Sequence, residues 1–530
     1  MDYSEKDIKK DNVKILIILA LYVFILQFCI SIDSYTHDLY DRSDTAWFFM
    51  CGKAWMNGMI PYVDFSDSKG PLLWLIYGIG YLISHHTYIG VFWLGCFFYT
   101  ITFFYCYKIA LLFLKDRKLA LLSAFLMGFA YFNILFYRET RAEDFCQPFI
   151  AVGLYYTLKL WLLLEKADGA LFKKASFFLG VGFSACLLIK FSIAAMFAIF
   201  IMIVCWIAIK EKVFKSFLLY LLLGCSAVCL PFVIYFICTG NWNDFLHEYF
   251  IGTYQTVALP FPELLKQYMA EVMKLFSINR RPVYLIYLLG TLAFSYYYRK
   301  LKLWPVLPAL WFIAICLRHD NWGYYLNASS VFAIFGIILV VKLLAKKMVI
   351  TKMKVKVAFW IVVISIVAIY RPFYRTNFFT AESSRIPYYE AADIMSQVTN
   401  PKIINIGHEI GVGMPVLSLP GYKYWAVQAG ESEDIRQKRR LAIKEFKADF
   451  VTVDKSYDKQ MKTQKWLDDL GYNYCLTLEN AGALVALYAR PRLLNFPVHK
   501  YRMTNKDIFF KRSLPFERTA AEKTKYQREK

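Results

Sequence analysis

The sequence predicts a polytopic α-helical membrane protein with a small α/β domain at its C-terminus. Of its 530 residues, 58% are hydrophobic and only 19% are charged, whereas soluble proteins average roughly 45–50% apolar and about 25% charged residues. The apolar residues are concentrated in long runs, which short lysine-rich clusters separate. After about residue 370, short β-rich and helical stretches replace these runs. Together these observations predict membrane-spanning helices followed by an extracytoplasmic domain.

The first apolar run, 13–32, reads as a retained membrane helix. It is too long for the apolar core of a cleaved signal peptide, and it lacks small residues at its end. The net charge of +22 lies mostly beside the apolar runs, and the aromatic residues lie inside them. That placement indicates membrane orientation and excludes a nucleic-acid-binding stripe.

The basic clusters predict the topology. Loops rich in lysine and arginine stay in the cytoplasm, and every cluster lies on that side if the short run 71–84 does not cross. An apolar stretch of this length is typical of an interfacial or re-entrant segment. The N-terminus is then cytoplasmic and the C-terminus outside, with the outer loops 33–86, 138–147, 239–282 and 318–322. The expected 11 crossings are 13–32, 87–114, 119–137, 148–164, 175–190, 192–209, 216–238, 283–298, 303–317, 323–341 and 357–370.

The region after the last crossing is expected to form an α/β domain. We place a membrane domain at 1–370, this α/β domain at 371–502 and a charged tail at 503–530. The predicted strands are Lys402–Ile406, Phe450–Val453, Tyr472–Leu478 and Leu484–Tyr488. The predicted helices are Pro387–Val398 and Glu433–Phe446.

The first outer loop carries the densest set of polar motif residues. It reads Asp…Gly-Lys-x-x-x-x-Gly-x-x-Pro-Tyr-x-Asp-x-x-Asp-x-Lys-Gly-Pro-Leu between Asp44 and Leu72. Asp44 stands just before a helical stretch, Thr45–Met56. It either caps that helix or presents a carboxylate for proton transfer at the membrane surface, and the two roles are compatible.

This loop, placed behind a first transmembrane helix, resembles that of the GT-C glycosyltransferases. The similarity is greatest to the group of protein O-mannosyltransferases and the bacterial aminoarabinose transferase of lipid A. That group carries an acidic residue, two juxtamembrane helices and a Lys-Pro or Lys-Gly-Pro turn in this loop. The resemblance covers about residues 10–370 and is strongest over 40–75. It implies inverting transfer of a sugar from a polyprenyl-phosphate carrier to an acceptor on the outer face of the membrane.

The resemblance also implies roles for residues in the first two outer loops. Asp44 matches the catalytic acidic position, and Lys69 matches the residue that contacts the carrier phosphate; an interfacial lysine near headgroups is the alternative for Lys69. Either Glu143 or Asp144 supplies a second acidic residue. The neighbouring arginines pair with the phosphate or neutralise these acids, namely Arg138 and Arg141.

Further candidate contacts lie later in the chain. Lys190 stands at a junction of two short spans, where a lysine faces a cavity or partner, or extends to the interface. Arg318, His319 and Tyr325 occupy a loop that loosely resembles the family's late aromatic-polar motif near the phosphate. The loop 239–282 forms either part of an acceptor cleft or an interfacial aromatic belt. No metal-ligand spacing is present, so no cofactor is required; some members of the superfamily bridge outer-loop acids with a divalent cation.

Two other function classes fit a polytopic chain. A transporter or flippase for a lipid-linked glycan would favour internal repeats and charges at mid-membrane, neither of which the sequence shows. A glycan ligase or polymerase would use large outer loops rich in arginine and histidine late in the chain, whereas the motif-bearing loop of this sequence is the first outer loop. The transferase therefore remains the leading prediction, with a lipid, glycan or protein acceptor, the bilayer as partner and the bacterial inner membrane as location.

Overall fold

The fold is known from a computed structural model. The structure describes residues 5–31, 33–34, 44–85, 87–132, 139–163, 169–252, 260–275, 282–303, 307, 310–311, 323–346, 354–370, 391, 394–407, 418–427, 431–454, 462–480 and 483–493.

Helices dominate the chain up to residue 370. They are α1 (Glu5–Ile30), α2 (Asp44–Met56), α3 (Pro71–Ile83), α4 (Ile89–Leu114), α5 (Arg117–Tyr131), α6 (Ala142–Leu162), α7 (Gly169–Ile189), α8 (Phe191–Ala194), α9 (Met196–Lys210), α10 (Phe214–Cys238), α11 (Trp242–Phe245), α12 (Phe261–Leu275), α13 (Pro282–Tyr297), α14 (Ala333–Lys346) and α15 (Val355–Tyr370). A π-helical turn, Leu246–Gly252, extends α11, and 3₁₀ segments occupy Arg299–Leu301 and Gly323–Phe332.

Six helical segments of the described chain are long and apolar enough to cross a membrane. They are Asp11–Ile30, Ile89–Leu114, Gly169–Ile189, Phe191–Lys210, Phe214–Cys238 and Leu326–Lys346. The chain is therefore a multi-pass membrane protein, as its composition predicts. The run 71–84 forms a short 13-residue helix, α3. The total of 11 crossings and the sidedness stay predictions, and most of the expected span 303–317 lies outside the described residues.

The chain forms two compact units that are not continuous in sequence. The helical unit comprises Met1–Ser31, Gly95–Tyr235 and Val257–Tyr374. The loop–sheet unit comprises Ile32–Leu94, Phe236–Thr256 and Arg375–Lys530. The first outer loop thus groups with the C-terminal region, although the sequence analysis assigned it to the membrane domain.

Two glycines set the packing of α7 against α10 in the helical unit. A Cβ atom at Gly180 would overlap the backbone oxygen of Leu221, and one at Gly224 would overlap the backbone oxygen of Phe177. Membrane helices use small residues in this way because close backbone approach maximises van der Waals contact. Only glycine fits at either position of this crossing.

The C-terminal part of the loop–sheet unit contains a five-stranded sheet with the order β2-β1-β3-β5-β4. The strands are β1 (Lys402–Ile406), β2 (Leu419–Pro420), β3 (Phe450–Asp454), β4 (Asn473–Asn480) and β5 (Ala483–Ala489). β1 pairs in parallel with β2 and β3, whereas β5 pairs antiparallel with β3 and β4. The helices α16 (Glu433–Lys444) and α17 (Lys462–Asp469) pack on it through a core that includes Ile443, Val451 and Leu467.

All four predicted strands are present, and the predicted helix Glu433–Phe446 appears as α16. Two elements are not predicted by the sequence, namely β2, which has only two residues, and the short α17. The predicted helix Pro387–Val398 lies largely outside the described residues. The sheet confirms a small β-containing region after the membrane helices; its extracytoplasmic location stays a prediction.

Candidate functional site

The two leading candidates, Asp44 and Lys69, belong to the loop–sheet unit. Asp44 is the first residue of α2 and its side chain is half-buried. The positive end of the helix dipole favours a carboxylate at this position. Lys69 lies close to the same helix, because its Nζ is 5.6 Å from the ring centroid of Phe48, one turn after Asp44. The structure therefore brings both candidates to the start of α2.

The Lys69 turn leads directly into α3. Lys69 Nζ lies 3.9 Å from Asp67 Oδ2 and donates to Ser68 Oγ at 2.9 Å. Gly70 is the N-cap of α3 and supplies no side-chain acceptor, and Pro71 occupies the first helical position. The N–H groups of the first turn of a helix have no intrahelical partner and favour anions. The Lys-Gly-Pro motif thus contains a lysine and, two residues later, the first residue of a helix.

Tyr62 supports this turn from the other side. Its hydroxyl donates to the carbonyl of Lys69 at 3.0 Å, and its ring packs 4.6 Å from that of Trp74 and 5.5 Å from that of Phe245. Its φ of 66° lies in the left-handed region, which is uncommon for a bulky residue and indicates a constrained turn. Asn241 holds the preceding residue by donating to the carbonyl of Pro61 at 3.0 Å.

Residues from the third outer loop contribute to the same support. Phe245 and Tyr249 are buried against Tyr62, and Asn241 is also buried. The sequence predicts either part of an acceptor cleft or an interfacial aromatic belt for this loop. In the described part of this loop, these side chains contact the first-loop motif within the loop–sheet unit.

Glu248 joins three segments that are distant in sequence. It accepts from Ser66 Oγ and from Tyr424 Oη, each at 3.0 Å, and pairs with Lys423 Nζ at 2.8 Å. The backbone N–H of Ser66 also donates to the carbonyl of Lys423 at 3.0 Å. One carboxylate therefore ties the residue three positions before Lys69 to the C-terminal region.

The C-terminal segment 423–425 contacts the other end of the motif as well. The ring of Trp425 is 5.0 Å from that of Trp47, which follows Asp44 by three residues. Arg439 of α16 holds this segment by donating to the carbonyls of Tyr424 and Ala426 at 2.7 and 2.8 Å. Its guanidinium also pairs with the buried Glu431 at 2.6 Å. The C-terminal domain thus contacts the first outer loop beside both candidate residues.

The candidates of the second outer loop lie in the helical unit. Glu143 is buried and pairs with Lys190 Nζ at 2.5 Å. Lys190 is the N-cap of α8, in the break after α7. The structure therefore brings two separately predicted candidate residues together as an ion pair.

Asp144 is buried and satisfied by three donors. Its carboxylate accepts from Tyr99 Oη at 2.6 Å, from Asn327 Nδ2 at 2.5 Å and from the backbone N–H of Arg141 at 2.9 Å. It lies in the first turn of α6, so this helix begins six residues before the expected span 148–164 and includes the end of the predicted loop 138–147. Burial raises the pKa of Asp144 to about 6, although the Tyr99 and Arg141 hydrogen bonds oppose the rise. This carboxyl titrates closer to neutrality than an exposed one.

Arg141 pairs with an acid in the same loop. Its Nε donates to Glu139 Oε1 at 2.6 Å, and both side chains are buried. Arg141 thus has an acid as a contact, and both roles considered for the arginines stay predictions. A small cavity in the helical unit is lined by Gln27, Tyr99, Tyr131, Phe132, Glu139, Thr140 and Asp144.

The remaining candidates are only partly described. Arg138, Arg318 and His319 lie outside the described residues, and for Tyr325 the backbone alone is described, in the 3₁₀ segment Gly323–Phe332. That segment also carries Asn327, the donor to Asp144. Within the described ranges, no group of three or more His, Cys, Asp or Glu side chains is arranged to hold a metal ion.

Sequence reasoning missed several residues that position these candidates. Tyr62 and Asp67 belong to the first-loop motif, but the motif alone predicts no role for them. No local pattern points to Glu248, Asn327 or Arg439. Their contacts join positions far apart in the chain, so only the fold brings them to the motif.

The fold is similar to that of proteins whose structures have been solved. Solved structures with this fold include ArnT, the lipid A aminoarabinose transferase of the GT-C class, from Cupriavidus metallidurans. The apo structure matches with a TM-score of 0.53 and 11% identity, covering 90% of this chain and 97% of that one. The structure bound to undecaprenyl phosphate matches with a TM-score of 0.51 at the same identity and coverage. The predicted resemblance is thus confirmed for the fold.

No family model matches the sequence, and no curated protein matches it either.

Proposed function

We propose that this protein transfers a sugar from a polyprenyl-phosphate carrier to an acceptor on the outer face of the membrane. The observation that carries the proposal is the fold, which it shares over 90% of its length with a transferase solved bound to undecaprenyl phosphate. The constrained Lys-Gly-Pro turn beside Asp44 supplies groups that this chemistry needs.

The reaction is an inverting single displacement. The acceptor oxygen or nitrogen attacks the anomeric carbon while the bond from that carbon to the phosphate oxygen breaks. The phosphate leaves with the electron pair as polyprenyl phosphate, and the carboxylate of Asp44 takes the acceptor's proton. A positioned base of this kind typically contributes about 10²–10⁴-fold to the rate.

Lys69 stabilises the departing phosphate. Lys69 directly precedes Gly70, the N-cap of α3, and the first N–H groups of that helix also favour an anion. Charge placed where the leaving group gains charge is worth more in the transition state than in the ground state. Asp67, 3.9 Å from Lys69 Nζ, orients the lysine while the carrier is absent.

The other candidates have supporting roles by resemblance. Glu143 or Asp144 supplies the second acidic residue, and Lys190 and Arg141 balance the charge of the acids they contact. Arg138, Arg318, His319 and Tyr325 are further proposed contacts of the carrier phosphate. No cofactor is required by this mechanism, and a divalent cation bound with the carrier is compatible with it.

The proposed location is the bacterial inner membrane, with the N-terminus in the cytoplasm and the C-terminal domain outside. The lysine-rich clusters between apolar runs support this orientation. The acceptor is a lipid, a glycan or a protein.

Mass spectrometry of purified protein with synthetic polyprenyl-phosphate hexoses and pentoses, plus cell-envelope extract as acceptor, tests the function. The wild type should release free polyprenyl phosphate, and Asp44→Asn should bind carrier without releasing it. Asp64→Asn is the matched control, because Asp64 is a carboxylate of the same loop that accepts from the N–H of Ile60 at 2.7 Å. Binding without release by the wild type and both variants would favour a transporter.

A further inference from the structure

A cluster of lysines in the helical unit lies far along α6 from the second-loop acids Glu143 and Asp144. It consists of Lys108 on α4, Lys159 on α6 and Lys174 on α7. Lys159 follows Asp144 by fifteen residues on α6, which corresponds to about 22 Å along the helix axis. The cluster therefore lies near the opposite end of α6 from the second-loop acids.

Two of the three ammonium groups share one aromatic ring. Lys108 Nζ is 5.5 Å from the centroid of Tyr155, and Lys159 Nζ is 5.9 Å from the same centroid. Lys108 also lies 4.7 Å from the ring of Phe104 and 5.1 Å from that of Tyr105. The rings hold the two cations close together on a surface from which water is partly excluded.

The positive charges of this cluster repel one another. Lys174 and Lys159 both act on Lys108 through like-charge repulsion. Lys108 and Lys159 are half-buried, and within the described residues neither they nor Lys174 forms an ion pair with a carboxylate. Like charges held together in this way make a favourable site for an anion, which would relieve the repulsion.

The cluster lies where a membrane surface is expected. It is formed by the last turns of α4 and α6 and the first turns of α7, three helices of the membrane part. Trp161 follows Lys159 by two residues on α6, and its ring centroid is 5.7 Å from that of Trp206 near the end of α9. Tryptophan and tyrosine are typical of headgroup level. The anion available at that level is a lipid phosphate.

We propose that Lys108, Lys159 and Lys174 bind the phosphate of an anionic phospholipid in the leaflet at the lysine-rich ends of these helices. Lys108 and Lys159 hold the phosphate against Tyr155, and the exposed Lys174 contacts it from α7. Basic pockets between transmembrane helices are typical binding sites for such headgroups. The site is independent of the proposed transferase activity.

Native mass spectrometry of the full-length protein in detergent, titrated with phosphatidylglycerol or phosphatidylcholine, tests the proposal. The wild type should prefer phosphatidylglycerol. The double variant Lys108→Gln/Lys159→Gln should bind this lipid at least about tenfold more weakly, because each lysine near a membrane surface contributes about fivefold to the affinity for anionic lipid. Binding of phosphatidylcholine should not change.

Lys210→Gln is the matched control. Lys210 Nζ makes a comparable contact, 5.9 Å from the Trp206 ring, at the end of α9. The control should bind phosphatidylglycerol like the wild type, and unchanged melting temperatures should show that all variants are folded. Equal losses in the control and the double variant would overturn the proposal in favour of diffuse positive charge.

A competition with inorganic phosphate separates a lipid site from a site for free phosphate. Phosphatidylglycerol should remain bound in millimolar phosphate, because its acyl chains also contact the helices. Complete displacement, or the absence of any lipid preference in the wild type, would overturn the lipid assignment.

Discussion

The hydroxyl of Ser66 donates to the carboxylate of Glu248 at 3.0 Å, and the same carboxylate pairs with Lys423 Nζ at 2.8 Å. Ser66 precedes Lys69 by three residues, so the position of the Lys-Gly-Pro turn depends on both the π-helical turn and the C-terminal domain. We expect Glu248 to act as a positioning residue, since its contacts fix the turn and leave Lys69 to contact the phosphate.

Glu248→Gln should weaken binding of polyprenyl phosphate by about three- to tenfold. The amide keeps the size of the side chain but removes the charge that pairs with Lys423, and a charge-assisted hydrogen bond contributes about 1.5–3 kcal/mol at most. Carrier affinity measured with a fluorescent polyprenyl phosphate in nanodiscs checks the change.

Asp244→Asn serves as the control for Glu248. Asp244 is the more exposed carboxylate near Lys423, at 4.0 Å, and an exposed ion pair of this kind contributes little. Its affinity for the carrier should match that of the wild type. If Glu248→Gln lowers only the melting temperature and leaves carrier affinity intact, then Glu248 has a structural role alone.

Lys69→Met should reduce carrier affinity more strongly, by about 10- to 100-fold, because an ammonium–phosphate contact is charge-assisted. Lys69→Arg should recover part of the affinity, since the charge is kept while its geometry differs. Titration with phosphate-free polyprenol provides the control ligand, and its binding should be the same in all three proteins. A Lys69→Met variant with wild-type affinity would remove Lys69 from the phosphate site.

The Glu143–Lys190 pair predicts strong coupling between its two residues. Glu143→Gln or Lys190→Met alone should destabilise the protein by about 3–5 kcal/mol, because each removes one charge of an ion pair whose carboxylate is buried and whose lysine is half-buried. The double variant should cost clearly less than the sum of the single variants. Chemical denaturation of the wild type and the three variants in detergent gives the four free energies of unfolding for this double-mutant cycle. Additive effects would show that Glu143 and Lys190 are not energetically coupled.

Asp144 predicts a pH-dependent difference in stability. Because its pKa is raised from 3.8 to about 6 in the folded protein, the unfolded state binds fewer protons between these values, and the contribution of this group to stability falls as pH rises. Asp144→Asn lacks this titration.

The melting temperature of Asp144→Asn relative to wild type should therefore increase from about pH 4 to about pH 6 and then level off. Glu139→Gln is a suitable comparison, because it removes a buried acid of the same loop. A difference between Asp144→Asn and wild type that does not vary with pH would contradict the raised pKa.

The sequence predicted those parts of the fold that local patterns encode. Apolar runs and basic clusters predicted a multi-pass protein, and alternating β-rich and helical stretches predicted β1, β3, β4, β5 and α16. β2 was missed because two residues, Leu419–Pro420, carry no periodicity. The short α17 was missed for a similar reason, since one or two turns offer little amphipathic pattern.

The site was predicted only as far as its motif extends along the chain. Asp44 and Lys69 stand in one contiguous loop, where spacing and residue type are visible together. Glu248 and Arg439 act through contacts with Ser66 and Tyr424 that no local pattern encodes. The partnership of Glu143 with Lys190 likewise depends on the packing of α6 against α7.

The bond between the backbone N–H of Ser66 and the carbonyl of Lys423 joins the beginning of the chain to its final part. During translation, the first outer loop emerges long before Lys423 has been synthesised. The loop must therefore wait, without its lasting partner, while the remaining helices are inserted by the translocon. Translation products that end before Lys423 would carry the entire Lys-Gly-Pro motif and still lack the contacts that hold it.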